Sequence, residues 1–325
     1  MLPLPLLPEQ SKLFPPLPGS AEDKILVVDN FMLSMFQTCP AKFKRRIVEG
    51  WKPRKQGAAL GFGQMIHLGI EVWYRTHSLE AAETAVQEAW PANHPDDDWR
   101  DLSKCISVLG EYTREYPSEL WRVVDASKSN PMLEVSFTLP LLNAAGEQLF
   151  TYDGYAIQYG GIFDLMLDFN GQFYIMDHKT TTRLGDYYFN QYKPNNQITG
   201  YLWGASQLTN RRVGGAFINA IGLYKKSPTK FKRHLTVRSE DDFPNWVQSV
   251  QHACNLIRIA YNSGQWPQFT SACTLYGNCE FRDVHVMGSN TQQERYLEMM
   301  YEKDLWNHEA RGSALKIANT LDGDD

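Results

Sequence analysis

The sequence predicts a mixed α/β fold, a sheet flanked by helices, and three observations carry this. Residues 58–116 repeat apolar side chains at helical spacing. Residues 132–180 hold apolar runs of strand length, and the remainder alternates strand and helix. In chain order, residues 1–20 contain Pro3, Pro5, Pro8, Pro15, Pro16 and Pro18 and read as an extended arm without helix or strand. The body starts near Lys24. The stretch 58–76 (AALGFGQMIHLGIEVWYRT) predicts a helix. So do 80–90 and 100–116, joined by a polar loop at 94–98. Strand-like runs follow at 132–141, 148–157, 161–169 and 172–180. Pro194 suits the first turn of a helix reaching Leu208. The run 215–224 reads as a strand, and 231–238 alternates as another. A helix over 241–262 sets Trp246, Val250, Cys254 and Ile257 on one stripe. A loop over 264–288 precedes a helix at 291–312, and the acidic tail 322–325 reads as disordered.

Composition narrows the function. The 325 residues are 43% hydrophobic and 21% charged, which excludes collagen, coiled coil and wholesale disorder. No apolar run approaches the roughly 18 residues that span a bilayer, so no membrane partner is expected. The Pro-broken start, MLPLPLLPEQ, lacks the basic residues of a secretory leader, so a cytoplasmic location with reduced thiols is expected. Five cysteines in such a chain are no disulfide scaffold, and a clustered pair points to metal. The net charge of −5 gives no general pull on nucleic acid, so any such binding needs a local basic patch.

The most informative stretch is 161–180. Asn170-Gly171 between two apolar runs is a strong hairpin pattern, a two-residue type I′ turn. That turn pairs Phe169 with Gln172 and, counting outward, Asp164 with Asp177. Two carboxylates with Cβ atoms about 5 Å apart form a destabilising pair in an apolar hairpin. Lys179 shares a face with Asp177. Acids so placed suit a divalent cation such as Mg²⁺ or Mn²⁺, which draws the charges together; solvated acids on a half-exposed hairpin are the alternative. Two helical pairs lie one turn apart, Gln197 with Tyr201 and His67 with Glu71.

Together these residues resemble the PD-(D/E)XK nuclease superfamily, in its RecB-like branch. The residues are Gly63-Gln-Met-Ile-His67, Gly161-Ile-Phe-Asp164, Asp177-His178-Lys179 and Gln197-Ile-Thr-Gly-Tyr201, in the family's order. The resemblance implies a restriction-endonuclease-like core with flanking helices. It divides the chain into an arm over 1–20, a nuclease domain over 21–290, and a C-terminal helix with an acidic tail over 291–325. It implies that His67, Asp164, Asp177 and the carbonyl of His178 hold the catalytic metal, that Lys179 orients water and stabilises phosphate charge, and that Gln197 and Tyr201 fix the phosphate backbone or Lys179. Glu134 is a weaker candidate for a further carboxylate. Many RecB-like nucleases also hold an iron–sulfur cluster. Cys39, Cys273 and Cys279 match three of its ligands, and His285 stands where the fourth cysteine falls, so a [4Fe-4S] cluster or a Cys₃His zinc site is implied, a decayed site with merely packed cysteines being the alternative. Cys105 and Cys254 sit in helical patterns and read as small core residues.

The expected activity is metal-dependent hydrolysis of DNA by an exonuclease serving recombination or repair, with a phage origin as a further expectation. The alternatives are a catalytically silent DNA-binding or scaffold protein on the same fold, or a CRISPR-type adaptation nuclease. DNA, single-stranded or at its ends, is the expected partner. With no phosphate-loop motif in the sequence, a helicase or recombinase would do any unwinding. Candidate DNA patches are Lys42 to Arg46 with Lys52, Arg54 and Lys55, and Lys225, Lys226, Lys230, Lys232 and Arg233.

Overall fold

The structure, a computed structural model, describes residues 16–55, 57–92, 94, 99–127, 130–275 and 277–307. The expectations for the first prolines, for loop residues 95–98 and for the tail 322–325 lie outside these.

The chain opens with β1 (Gly19–Ser20), β2 (Ile25–Asp29), α1 (Asn30–Thr38), α2 (Pro40–Phe43), a π-helical turn at Lys44–Val48, and β3 (Trp51–Pro53). Helices α3 (Ala58–Thr76), α4 (Leu79–Ala89) and α5 (Leu102–Glu115) come next. Then follow β4 (Arg122–Val123), β5 (Asp125–Ser127), β6 (Asn130–Pro131), β7 (Leu133–Pro140), β8 (Ala156–Phe169) and β9 (Gln172–Thr181). The rest is α6 (Asn196–Thr209), β10 (Ala216–Gly222), β11 (Lys230–Thr236), α7 (Asp242–Ser263), α8 (Arg282–His285), α9 (Asn290–Met300) and β12 (Tyr301–Lys303). The fold is mixed α/β with a mixed sheet and flanking helices.

The described residues form two compact units, one of 16–54, 138–160 and 241–307, the other of 55–137 and 161–240. In the second unit, the outer half of β8 pairs antiparallel with β9, which runs parallel to β10, which runs antiparallel to β11. The register starts from the Asn170-Gly171 turn, whose φ values of 53° and 84° are both left-handed, as type I′ demands. Leu165, Leu167, Met176 and Ile221 meet the apolar stripe of α3 (Phe62, Ile66, Ile70) and Leu109 of α5 in one core. Side-chain caps set the helix starts: Ser78 accepts from Ala81 N–H, Asp101 from Lys104 N–H and Asn195 from Ile198 N–H.

In the first unit, β2 runs parallel to the inner half of β8 and α1 packs on α7. The stripe of Trp246, Val250, Cys254 and Ile257 is buried as its periodicity required, and Cys105, in the second unit, is fully buried too. Asp29 caps α1 through Met32 N–H and accepts from Trp306 Nε1 at 2.7 Å.

Several elements differ from what the sequence pattern predicts, α8 inside the expected loop 264–288 among them. A short strand, Gly19–Ser20, lies inside the proline-rich arm because it pairs with β2. Only the last two residues of the run 148–157 are strand, and they continue into 161–169 as β8, since β2 pairs with residues 156–160. Pro194 stands just before the N-cap Asn195 rather than in the first helical turn. The helix expected over 291–312 stops at Met300, where the chain pairs with β3 as β12 (Tyr301 with Pro53, Lys303 with Trp51). Among the described residues no helix is long and apolar enough to cross a membrane.

Candidate active site

The second unit gathers the acids. Helix α3 buries Phe62, Met65, Ile66 and Ile70, which turns His67 toward the sheet, half-buried, while Glu71 one turn later is buried and paired with Arg75 at 2.9 Å. Asp164 lies on β8 one residue past the hairpin pair of Leu165 with Met176, so the register sets it across from Asp177. Its Oδ2 accepts from the backbone N–H of His178 and its Oδ1 lies 3.4 Å from His67 Nδ1. Glu134 arrives from β7 with φ 47°, a left-handed conformation that a glutamate in a strand adopts only when its surroundings impose it. His67, Glu134 and Asp164 each offer one ligand atom, all within 4.8 Å of one another; among the described residues this is the one such group. Asp177, on β9, turns its Oδ2 to Lys179 Nζ at 2.6 Å. That approach is a close ion pair on a buried carboxylate.

The electrostatics follow from this crowding. Burial pushes the Glu134 carboxyl well above the usual carboxylate range, and Asp164 pushes it further. Burial also raises Asp177, with Asp164 adding to it and Lys179 opposing. Burial would lower His67, but the facing Asp164, with Glu134 behind it, overrides this and raises the imidazole to about 9. Asp164 goes the other way: burial is outweighed by His67, and its carboxyl is held below its ordinary value. Burial disfavours charge on Lys179, but Asp177 and Asp164 dominate and keep its ammonium. Three carboxylates, two of them buried and Glu134 half-buried, with one imidazole and one ammonium have the donor set of a divalent-cation site. Burial and the crowding of like charge force two of the acids upward, which is the fit expected of residues that share a cation.

Gln197 Nε2 donates to Tyr201 Oη at 3.0 Å on α6. The Tyr201 ring lies against Gly161, three residues before Asp164: a Cβ there would meet Tyr201 at 3.0 Å and Phe137 at 2.9 Å. The structure brings His67, Asp164, Asp177, His178, Lys179, Gln197 and Tyr201, all singled out by the sequence pattern, into one unit. That pattern underrates Glu134, whose approach depends on a backbone twist that the pattern LEVSF does not reveal.

The cysteine expectation fares differently. Cys39 is buried between α1 and α2, Cys273 ends a 3₁₀ turn and accepts through its carbonyl from Cys279 N–H at 2.9 Å, and His285 ends α8. Lys42 and Glu280, 3.1 Å apart, link the two segments. Yet no three of Cys39, Cys273, Cys279 and His285 bring ligand atoms within 4.8 Å, and the described residues form no cysteine cluster. Zinc with bonds of about 2.0–2.3 Å needs its donors closer than that. The four do not fit a metal group as they stand, and no chemical step is assigned to them.

The first basic patch is largely paired within the chain, with Arg54 and Lys55 exposed. Lys44 and Arg45 pair with Glu49, Arg46 is buried against Asp304, and Lys52 sits near Glu302 and Asp304. In the second patch Lys225, Lys226, Lys230 and Lys232 are exposed, but Arg233 is tied to Glu119 and covered by the rings of Tyr116 and Trp121.

The chain resembles a solved structure described as a "Putative exonuclease" from Eubacterium rectale, at 15% identity over 83% of this chain and 91% of that one, with a TM-score of 0.47. It also resembles the structure of SSO0001, at 14% identity over 60% of this chain and 74% of that one, with a TM-score of 0.28. No curated protein matches it. The sequence profile of the PD-(D/E)XK nuclease superfamily matches residues 32–284 and so takes in every acid of the site and Lys179, and the chain belongs to that superfamily.

Proposed function

We propose that the chain hydrolyses phosphodiester bonds in DNA with Mg²⁺ or Mn²⁺, as an exonuclease of recombination or repair. The observation that carries this is the convergence of His67, Glu134 and Asp164 beside the Asp177–Lys179 ion pair. His67, Glu134 and Asp164 would hold the cation, with Asp177 and the His178 carbonyl as further oxygens. A bound divalent cation supplies Lewis acidity to the phosphate and acidifies water.

The chain's own residues do the rest. Asp177 keeps Lys179 charged in a half-buried setting, where an ammonium stabilises developing phosphate charge better than in water. The His178 N–H fixes the carboxylate of Asp164. Gln197 and Tyr201, hydrogen-bonded to each other, form a polar edge on α6 that suits the sugar–phosphate backbone. Exposed Lys225, Lys226, Lys230 and Lys232 offer a track for the remaining strand in a chain of net charge −5. The narrower reading, attack at DNA ends with strands opened by a helicase or recombinase, rests on the order of the four motifs.

The test uses purified protein with labelled linear and covalently closed circular DNA, in Mg²⁺, in Mn²⁺ and in EDTA. Linear DNA should be degraded with either metal and nothing cut in EDTA. Cutting of closed circles would overturn the exonuclease reading, and cutting in EDTA would overturn the metal reading.

A further inference from the structure

The middle residue of the Asp-His-Lys strand is held from behind by a buried network outside the ligand set. Arg233, on β11, donates from Nε to Asn219 Oδ1 at 3.3 Å and clamps Glu119 with Nη1 and Nη2 at 2.7 and 2.8 Å. Arginine can only donate, so Asn219 must present its carbonyl to Arg233 and its amide hydrogens the other way. Those hydrogens reach Tyr112 Oη at 3.0 Å and His178 Nδ1 at 2.7 Å. His178 Nδ1 therefore accepts, and its ring proton sits on Nε2. Tyr74 stacks parallel to the His178 ring, with centroids 6.3 Å apart and an angle of 9°. Asn219 is fully buried, and β10 sets it beside His178 in the parallel register. The same residue, His178, gives its backbone N–H to Asp164.

We propose that Asn219 and Arg233 are positioning residues. They lock the His178 ring and with it the backbone between Asp177 and Lys179, so that Asp164, Asp177 and Lys179 keep one mutual geometry. This rests on the metal-dependent nuclease reading and extends it to residues that touch neither the cation nor DNA. Outer groups of this kind typically matter by about 10–100-fold in metal affinity or activity.

The test compares Asn219→Ala with Asn219→Ser. The two leave nearly the same space, but serine keeps one hydroxyl that can donate to His178 Nδ1 and accept from Arg233. Melting temperature, Mn²⁺ affinity, kcat and KM for DNA are measured for both, for Arg233→Lys and for the unaltered protein. Asn219→Ala should lose about tenfold or more in kcat and in Mn²⁺ affinity with little change in KM. Asn219→Ser should recover much of both while melting close to Asn219→Ala. Arg233→Lys, which keeps charge but loses the Nε bond, should resemble Asn219→Ala. Equal losses in Ala and Ser that track melting temperature, or unchanged Mn²⁺ affinity in Asn219→Ala, would overturn the proposal. If the unaltered protein cuts no DNA the nuclease reading fails, while the Mn²⁺ affinities of the same proteins still decide the positioning role.

Discussion

His67 carries two duties that conflict with pH. Without a cation its imidazole faces Asp164 and is raised from an ordinary 6.5 to about 9. The ion pair thus stabilises the metal-free fold fully below about pH 6.5, and that stabilisation is lost as pH rises through about 9. A cation needs the neutral ring, so at pH 7.5 binding must expel a proton. Mn²⁺ affinity should rise about tenfold per pH unit between roughly 7 and 9 and then level off; calorimetric titration in buffers of different ionisation heat reads both the affinity and the proton, and a flat profile contradicts this. Glu134 offers a second residue-scale test. Its carboxyl is raised by burial and by Asp164, so Glu134→Gln should melt no lower than the unaltered metal-free protein at pH 8, yet bind Mn²⁺ about tenfold or more weakly. A large fall in melting temperature with unchanged Mn²⁺ affinity would assign Glu134 a packing role. The pairing of Asp164 with Asp177 is legible in the sequence because a single turn sets every residue beyond it. Glu134 is legible only as a weaker candidate, and Asn219 is not legible. Glu134 depends on a left-handed φ, and Asn219, the one amide in the apolar run 216–222, finds its partners at Tyr112, His178 and Arg233, far off in sequence.

At the scale of elements, the site depends on how closely α6 rests on the strands. A Cβ on Gly204 of α6 would lie 2.3 Å from the Phe137 ring, and one on Gly161 of β8 would lie 2.9 Å from the same ring. Phe137 is on β7, three residues beyond Glu134, so these glycines let α6, β7 and β8 meet where the ligands emerge. Gly204→Ala should therefore cost about 1–3 kcal/mol, as overpacked cores do, and lower cleavage, whereas Gly185→Ala, with nothing near its added carbon, should change stability little. Denaturant titration of both proteins checks this, and equal stability would show that the ring moves aside freely. Helices α3, α5, α6 and α7 and strands β9, β10 and β11 are readable from periodicity because each buries one stripe or one face of its own. The extension of the strand 161–169 back to Ala156 and the halt of α9 at Met300 are not, since pairing with β2 and β3 decides them.

For the whole molecule, charge decides which surface meets DNA. The net −5 must be overcome locally, and the lysines and arginines of 42–52 are already committed to Glu49, Glu280, Glu302 and Asp304. Lys225, Lys226, Lys230 and Lys232 are exposed in the unit that holds the site. Replacing Lys225 and Lys226 by glutamate should raise KM for DNA, flatten its salt dependence by about one unit of slope for each phosphate no longer neutralised, and leave melting unchanged; an unaltered KM would remove this face from the substrate path. The central claim, that His67 of α3 and the acids of β7, β8 and β9 form one cation-dependent phosphodiesterase centre, is tested most directly by DNA cleavage in Mn²⁺ by the purified protein and by Asp164→Asn and Lys179→Ala. Cleavage by the unaltered protein, with both variants folded and inactive, is the predicted result; wild-type rates from either folded variant would contradict it.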